Sequence, residues 1–179
     1  NRILYLSDNI NEESVGLLSF NILQIIDEDN KKELKEKNYE RKPIYLYINS
    51  HGGAVYDAFG LIEVILNSHT PIYTFCTGYA MSAAFLIFLS GHKRFCYEYS
   101  TFMYHQIHCH RTGKYQDLVE DREEMDRINK MVEDYVLMRT KLPKKTIEDI
   151  RNNKRDFYLS ASSAKIYGIV DSIEGAIEY

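Results

Sequence analysis

Ser82 stands where a strand-like run from Thr74, passing Gly78 and small residues, gives way to the apolar segment Ala83 to Leu89. A hydroxyl at a strand-to-helix corner projects from the backbone beside the unpaired amides of the helix's first turn, which can hold a developing oxyanion. The same position also suits a plain helix cap, so Gly-x-x-x-Ser by itself does not separate the two. A nucleophilic hydroxyl needs a base within hydrogen-bond reach, and the base needs an orienting acid. Of the six histidines, His105 ends a strand candidate at 101–105, where parallel sheets commonly present site residues, whereas His69 and His92 fall in surface turns. Asp156 precedes the apolar run Phe157-Tyr158-Leu159. Each also has an ordinary reading, as a satisfied strand histidine and an exposed charge.

Asn49-Ser50-His51-Gly52-Gly53-Ala54 forms a second strand-to-helix passage. Paired glycines allow close backbone approach and a helix start adds partial positive charge, so an oxyanion hole or a tight turn both fit. A nucleotide loop does not fit, because no Lys-Ser/Thr follows the glycines. His105, His108, Cys109 and His110 form a compact donor cluster. On a strand, however, Cys109 faces away from His108 and His110, and no remote cluster completes a tetrahedron, so no metal site is expected.

The 179 residues, 45% of them hydrophobic, suit a single domain spanning 1–179. A net charge of -4 with interspersed Lys and Arg argues against nucleic acid. No apolar run reaches membrane-spanning length, so no membrane contact is expected. Cys76, Cys96 and Cys109 match no disulfide or zinc framework. The chain starts directly in strand-like Ile3 to Leu6, as a trimmed mature form would. Short apolar runs alternate with helical patterns, which predicts an α/β fold of strand-turn-helix units. Strands are expected at 3–6, 44–49, 72–77, 94–97 and 101–105, and helices from Glu12, Ala54, Ser82, Tyr115, Lys144 and Ala161. Asp27 to Lys42 reads as a solvated helix end and loop without a function. Leu118, Met125, Ile128, Val132 and Tyr135 give a long, heavily charged helix one narrow apolar stripe, suited to its own core or to a neighbouring subunit.

Four further groupings then act together. Tyr45-Leu46-Tyr47-Ile48-Asn49-Ser50-x-Gly52-Gly53, Gly78-x-Ala80-x-Ser82, Met103-x-His105-Gln106, and Arg155-Asp156-x-x-Leu159-Ser160-Ala161 with Tyr167-Gly168-Ile169-Val170-Asp171 resemble the Clp protease proteolytic subunit family (ClpP) in order and spacing. The resemblance implies the ClpP/crotonase-like fold with a protruding handle helix, at about 115–141 here. It implies catalytic roles for Ser82 as nucleophile, His105 as general base and Asp156 as its orienting acid, with the Gly53 and Ala83 amides as oxyanion hole. Seven-membered rings, singly or stacked in pairs as a tetradecamer, are implied too, with Arg155 and Lys154 at the inter-ring contact. So is a Clp/Hsp100 AAA+ ATPase partner that feeds unfolded protein substrates. ATP belongs to that partner, so this chain is expected to carry no cofactor.

Departures cluster around the site. His51 stands where the family usually has proline, Ala83-Ala84 where it has Met-Gly, and Ile107 where proline follows His-Gln. His108 to Arg111 replace a glycine-containing substrate strand, and Lys154 replaces an acid. This pattern favours a ClpR-like ring subunit with weak or no peptidase activity, for which a catalytic ClpP subunit is an expected ring partner. The alternative is an active serine endopeptidase subunit. Usage rich in Lys, Asn, Ile and Tyr points to a plastid-type organelle such as the apicoplast, with the mitochondrial matrix or bacterial cytoplasm as alternatives.

Overall fold

A computed structural model describes residues 1–108 and 112–175. The chain runs β1 (Ile3–Leu6), α1 (Glu12–Glu33), β2 (Ile44–Ser50), α2 (Val55–Leu66), β3 (Ile72–Met81), α3 (Ala83–Leu89), β4 (Lys93–Tyr97), β5 (Thr101–Tyr104), α4 (Tyr115–Arg139), α5 (Lys144–Asn153), β6 (Phe157–Ser160), α6 (Ala161–Ile166) and β7 (Ser172–Glu174). Strands β1-β2-β3-β4-β7 lie side by side and parallel. This is the α/β fold with a mostly parallel sheet and flanking helices that the alternation of patterns predicts.

Strand β3 serves two neighbours in turn. Its first half, Tyr73 to Cys76, pairs with β4, and its second half, Tyr79 to Met81, pairs with β5. The change follows an irregularity in β2/β3 pairing, where register jumps from Ile48↔Cys76 to Ser50↔Ala80. Asn49 Oδ1 fills the gap by accepting from the Tyr79 amide at 3.1 Å. A Cβ on Gly78 would come within 2.5 Å of that oxygen, so glycine is what lets the amide side chain in. Antiparallel pairing of β6 with β5 then opposes Tyr104 and Phe157.

Alternation in β2 and β3 buries Ile44, Leu46, Ile48, Ile72 and Cys76 on one face, in one core with Val15, Leu18 and Ile22 of α1 and Leu61, Ile62 and Ile65 of α2. Helix α1 starts on a reciprocal cap: Asn11 Oδ1 accepts from the Ser14 amide at 2.9 Å, and Ser14 Oγ from the Asn11 amide at 3.1 Å. The opposite sheet face carries a row of rings, Tyr5 on Tyr47, Tyr47 on Phe75 and Phe75 on Phe95, with centroids 5.3, 5.0 and 4.7 Å apart. Tyr5 is 69% exposed, and the other three are only partly buried.

Three details differ from the sequence reading. The long helix ends at Arg139, because Thr140 is extended (φ -135, ψ 173), and only its second half buries side chains, at Ile128, Val132, Tyr135 and Val136. Leu118 stays exposed. Strands β6 and β7, of four and three residues, were not foreseen as strands, because so short a run shows no periodicity. The segment from Asp27 is not simply solvated. Asp29 is fully buried, paired with Arg2 and accepting from Tyr39 Oη at 2.6 Å and Thr70 Oγ1 at 2.8 Å. Burial pushes its carboxyl up, but the hydrogen bonds from Arg2, Tyr39 and Thr70 outweigh that and hold it at about 2.

Candidate active site

Ser82 follows the last residue of β3 and adopts φ 53, ψ -124, a region that side chains other than glycine rarely enter and that costs about 1–3 kcal/mol. Its surroundings impose that conformation. The Ser82 amide donates to the Met103 carbonyl of β5 at 2.9 Å, and the Ser82 carbonyl accepts from the Leu86 amide at 3.3 Å. Every side chain of α3 from Ala83 to Leu89 is buried, so the helix cannot swing to relieve the corner. The hydroxyl has no cap bond and is free to face the cleft.

The paired glycines brace this corner from β2. Gly52 has φ 107, and a Cβ there would meet Met81 O at 2.7 Å, Ser82 Cβ at 2.8 Å and Ala83 N at 2.9 Å. Gly53 has φ 151, and its Cβ would run into the Ile10 carbonyl at 2.2 Å. Close approach on both sides therefore requires glycine at both positions. The loop is tied by Ile10 N to Gly52 O and Ala54 N to Ile10 O, both 2.8 Å. Ser50 Oγ donates to the Asp8 carbonyl at 2.6 Å and accepts from the Gly52 amide at 3.2 Å. His51, in the place of the expected proline, stacks on Tyr79 with centroids 4.3 Å apart. The backbone path is thus fixed by other means than a proline ring.

His105 follows β5 directly, and its Nε2 lies 2.7 Å from Ser82 Oγ. Register explains the third residue: Phe157 opposes Tyr104, so Asp156 arrives beside His105. It does not arrive close enough to bond, since Asp156 Oδ1 is 3.7 Å from His105 Nδ1 and the aspartate side chain is half exposed. His108 takes that contact instead, with Nε2 2.8 Å from His105 Nδ1. If His105 Nε2 accepts the serine proton, Nδ1 carries the hydrogen and donates it to His108. Burial first, then the neighbouring His108, push the His105 imidazole below its ordinary pKa of 6.5, while Asp156 pulls the other way. The net shift favours the neutral ring.

A cleft of about 180 Å³ adjoins these groups, lined by Gly53, Ser82, Ala83, His105 and His108 together with the apolar Val55, Leu86, Ile107 and Val132. Ala83 opens α3, so its amide has no partner within the helix. Arg155 pairs with Asp149 at 3.2 Å, and Lys154 ends α5 in the left-handed region at φ 51. Cys76 and Cys96 are buried, their thiols pushed up to about 12 and about 11. Cys109, His110 and Arg111 lie outside the described residues. Sequence reasoning gave His108 no part in orienting His105. It was placed on a continuing strand, but β5 stops at Tyr104 and the chain turns it back toward His105.

The Clp protease family profile matches residues 1–176. The chain belongs to the Clp protease family. Three curated relatives illustrate the distance. The ATP-dependent Clp protease proteolytic subunit of Pleurastrum terricola is 29% identical over 174 residues, covering 96% of this chain and 83% of that one. Proteolytic subunit 1 of Rhodopirellula baltica is 29% identical over 180 residues, covering 97% and 72%. Proteolytic subunit 1 of Synechococcus sp. (strain CC9902) is 30% identical over 178 residues, covering 96% and 82%. Among the described residues of this Clp-family chain no helix is long and apolar enough to cross a membrane.

Proposed function

We propose that this chain is a ring subunit of an ATP-dependent Clp-type serine protease, ClpR-like in that its own peptidase activity is attenuated rather than abolished. In this reading Ser82 Oγ attacks the scissile carbonyl while His105 Nε2 takes its proton and later returns it to the leaving amine. The Gly53 and Ala83 amides face the developing oxyanion. The 2.7 Å contact to His105 and the strained corner at Ser82 favour retained reactivity.

The observation that carries the attenuation is His108 at His105 Nδ1, with Asp156 held off at 3.7 Å. A carboxylate there stabilises the imidazolium formed during attack by its negative charge, which an imidazole in the same place does not carry. His108 still accepts the Nδ1 hydrogen and so keeps the productive tautomer, and what is lost is the charge-assisted part of the bond, roughly five- to tenfold in rate. The uncovered row from Tyr5 to Phe95 supports assembly, since parallel sheets are ordinarily covered on both faces. Heptameric rings, a tetradecamer, a catalytic ClpP partner and an AAA+ ATPase that supplies unfolded substrate belong to this proposal by family. A plastid-type location belongs to it by composition. A fluorophosphonate probe tests it: slow labelling at Ser82, lost in Ser82→Ala, with poor turnover of a short fluorogenic peptide. Peptide turnover at the rate of an efficient serine peptidase would favour the fully active subunit instead.

A further inference from the structure

The groups around His105 Nδ1 also make a metal-type donor set, apart from their part in orienting the histidine. His105, His108 and Asp156 each offer one ligand atom within 4.8 Å of the others, and His105 Nδ1 lies 2.8 Å from His108 Nε2 and 3.7 Å from Asp156 Oδ1. In the sequence the histidine cluster lacked a remote ligand, and the β5/β6 pairing supplies it in Asp156, about fifty residues on. A tetrahedral zinc with bonds of about 2.0–2.1 Å holds its ligand atoms roughly 3.3–3.4 Å apart. The two imidazole nitrogens at 2.8 Å need to part by about half an ångström, and the 3.7 Å nitrogen–carboxylate separation to close by slightly less. His108 and Asp156 are exposed and can make those adjustments by rotation, while His105 stays anchored to Ser82. Two imidazoles and one carboxylate are a zinc-type donor set that leaves a fourth position to water.

We propose that His105, His108 and Asp156 bind a zinc-class divalent cation, and that the bound ion switches the Ser82–His105 pair off. The ion site stands on the geometry, whereas the switch rests on the reading of Ser82 and His105 as nucleophile and base. Coordination uses the lone pair of Nδ1, so the single proton of the neutral ring moves to Nε2. Nε2 then donates to Ser82 Oγ and no longer accepts from it. No bond to carbon forms or breaks, and removal of the ion restores the accepting tautomer.

The test uses the full chain, freed of metal with EDTA and exchanged into metal-free buffer near neutral pH. Isothermal titration with zinc chloride is expected to show one site of micromolar affinity. Binding should weaken by roughly tenfold or more in His108→Ala and in Asp156→Asn and be unchanged in His69→Ala. Both ligands are exposed, so neither substitution threatens the fold. Fluorophosphonate labelling of Ser82 is expected to fall across the same zinc range, recover with EDTA, and become insensitive to zinc in His108→Ala. No zinc uptake, or uptake that neither substitution weakens, overturns the site. Uptake that depends on His108 while Ser82 still labels at saturation overturns the switch. A Ser82 that never labels, with or without zinc, overturns the switch together with the peptidase reading, and the titration alone then decides the ion site.

Discussion

Replacing His108 by alanine should make this subunit a better hydrolase. His108 Nε2 occupies His105 Nδ1 at 2.8 Å, and Asp156 Oδ1 waits at 3.7 Å. Removing the imidazole lets the half-exposed carboxylate close by about 0.9 Å to ordinary charge-assisted hydrogen-bond length. Such a bond contributes about 1.5–3 kcal/mol against about 0.5–1.5 for a neutral pair, a gain of roughly 1–1.5 kcal/mol. If the gain is expressed in the transition state, where His105 becomes positive, the rate rises by roughly five- to tenfold. The assay is the second-order rate of fluorophosphonate labelling at Ser82, followed by intact mass, for wild type, His108→Ala, Asp156→Asn and the double variant. Asp156→Asn should cost little in the wild-type background and erase the gain in the His108→Ala background. The reasoning is refuted if His108→Ala labels no faster than wild type, or if Asp156→Asn alone costs as much as loss of an orienting triad carboxylate.

Three other substitutions probe the framework. Asp29→Asn should lower unfolding stability by about 2 kcal/mol at neutral pH, because the carboxyl sits at about 2 against an ordinary 3.8. A depressed carboxyl stabilises above its unfolded pKa, so urea melts should show the wild-type advantage intact above about pH 4 and fading toward pH 2. Gly52→Ala places a Cβ within 2.7–2.9 Å of Met81 and Ala83 backbone atoms and of Ser82 Cβ at φ 107. It should cost more than about 2 kcal/mol in a denaturant melt and suppress labelling, whereas wild-type behaviour would show that the loop does not brace the corner. Ser82→Gly should abolish labelling yet raise stability by about 1 kcal/mol by thermal melt, since relief of positive-φ strain exceeds the glycine entropy cost.

What was readable beforehand divides along physical lines. Strands β1 to β5 and the six helix starts were legible because burial on one face writes period-two and three-and-four patterns into the chain. Ser82, His105 and Asp156 were singled out by order and spacing, and the β5/β6 register accounts for how Asp156, so far along the chain, comes near His105. The 3.7 Å shortfall of Asp156 and the intrusion of His108 were not legible, because they depend on where β5 ends and how the chain turns after His105. Asp29 was hidden for a similar reason. A charged residue in a charged stretch looks solvated until Arg2, Tyr39 and Thr70, distant in sequence, converge on it. His51 looked like a loss at the glycine loop, yet its stacking on Tyr79 and the Ser50 bridge hold that loop by contacts no motif records.

The most direct trial is covalent labelling of the wild-type assembly with a fluorophosphonate, mapped by peptide mass spectrometry. The account predicts one adduct per subunit, on Ser82, formed slowly and accelerated in His108→Ala. No adduct on Ser82 in either protein would contradict it.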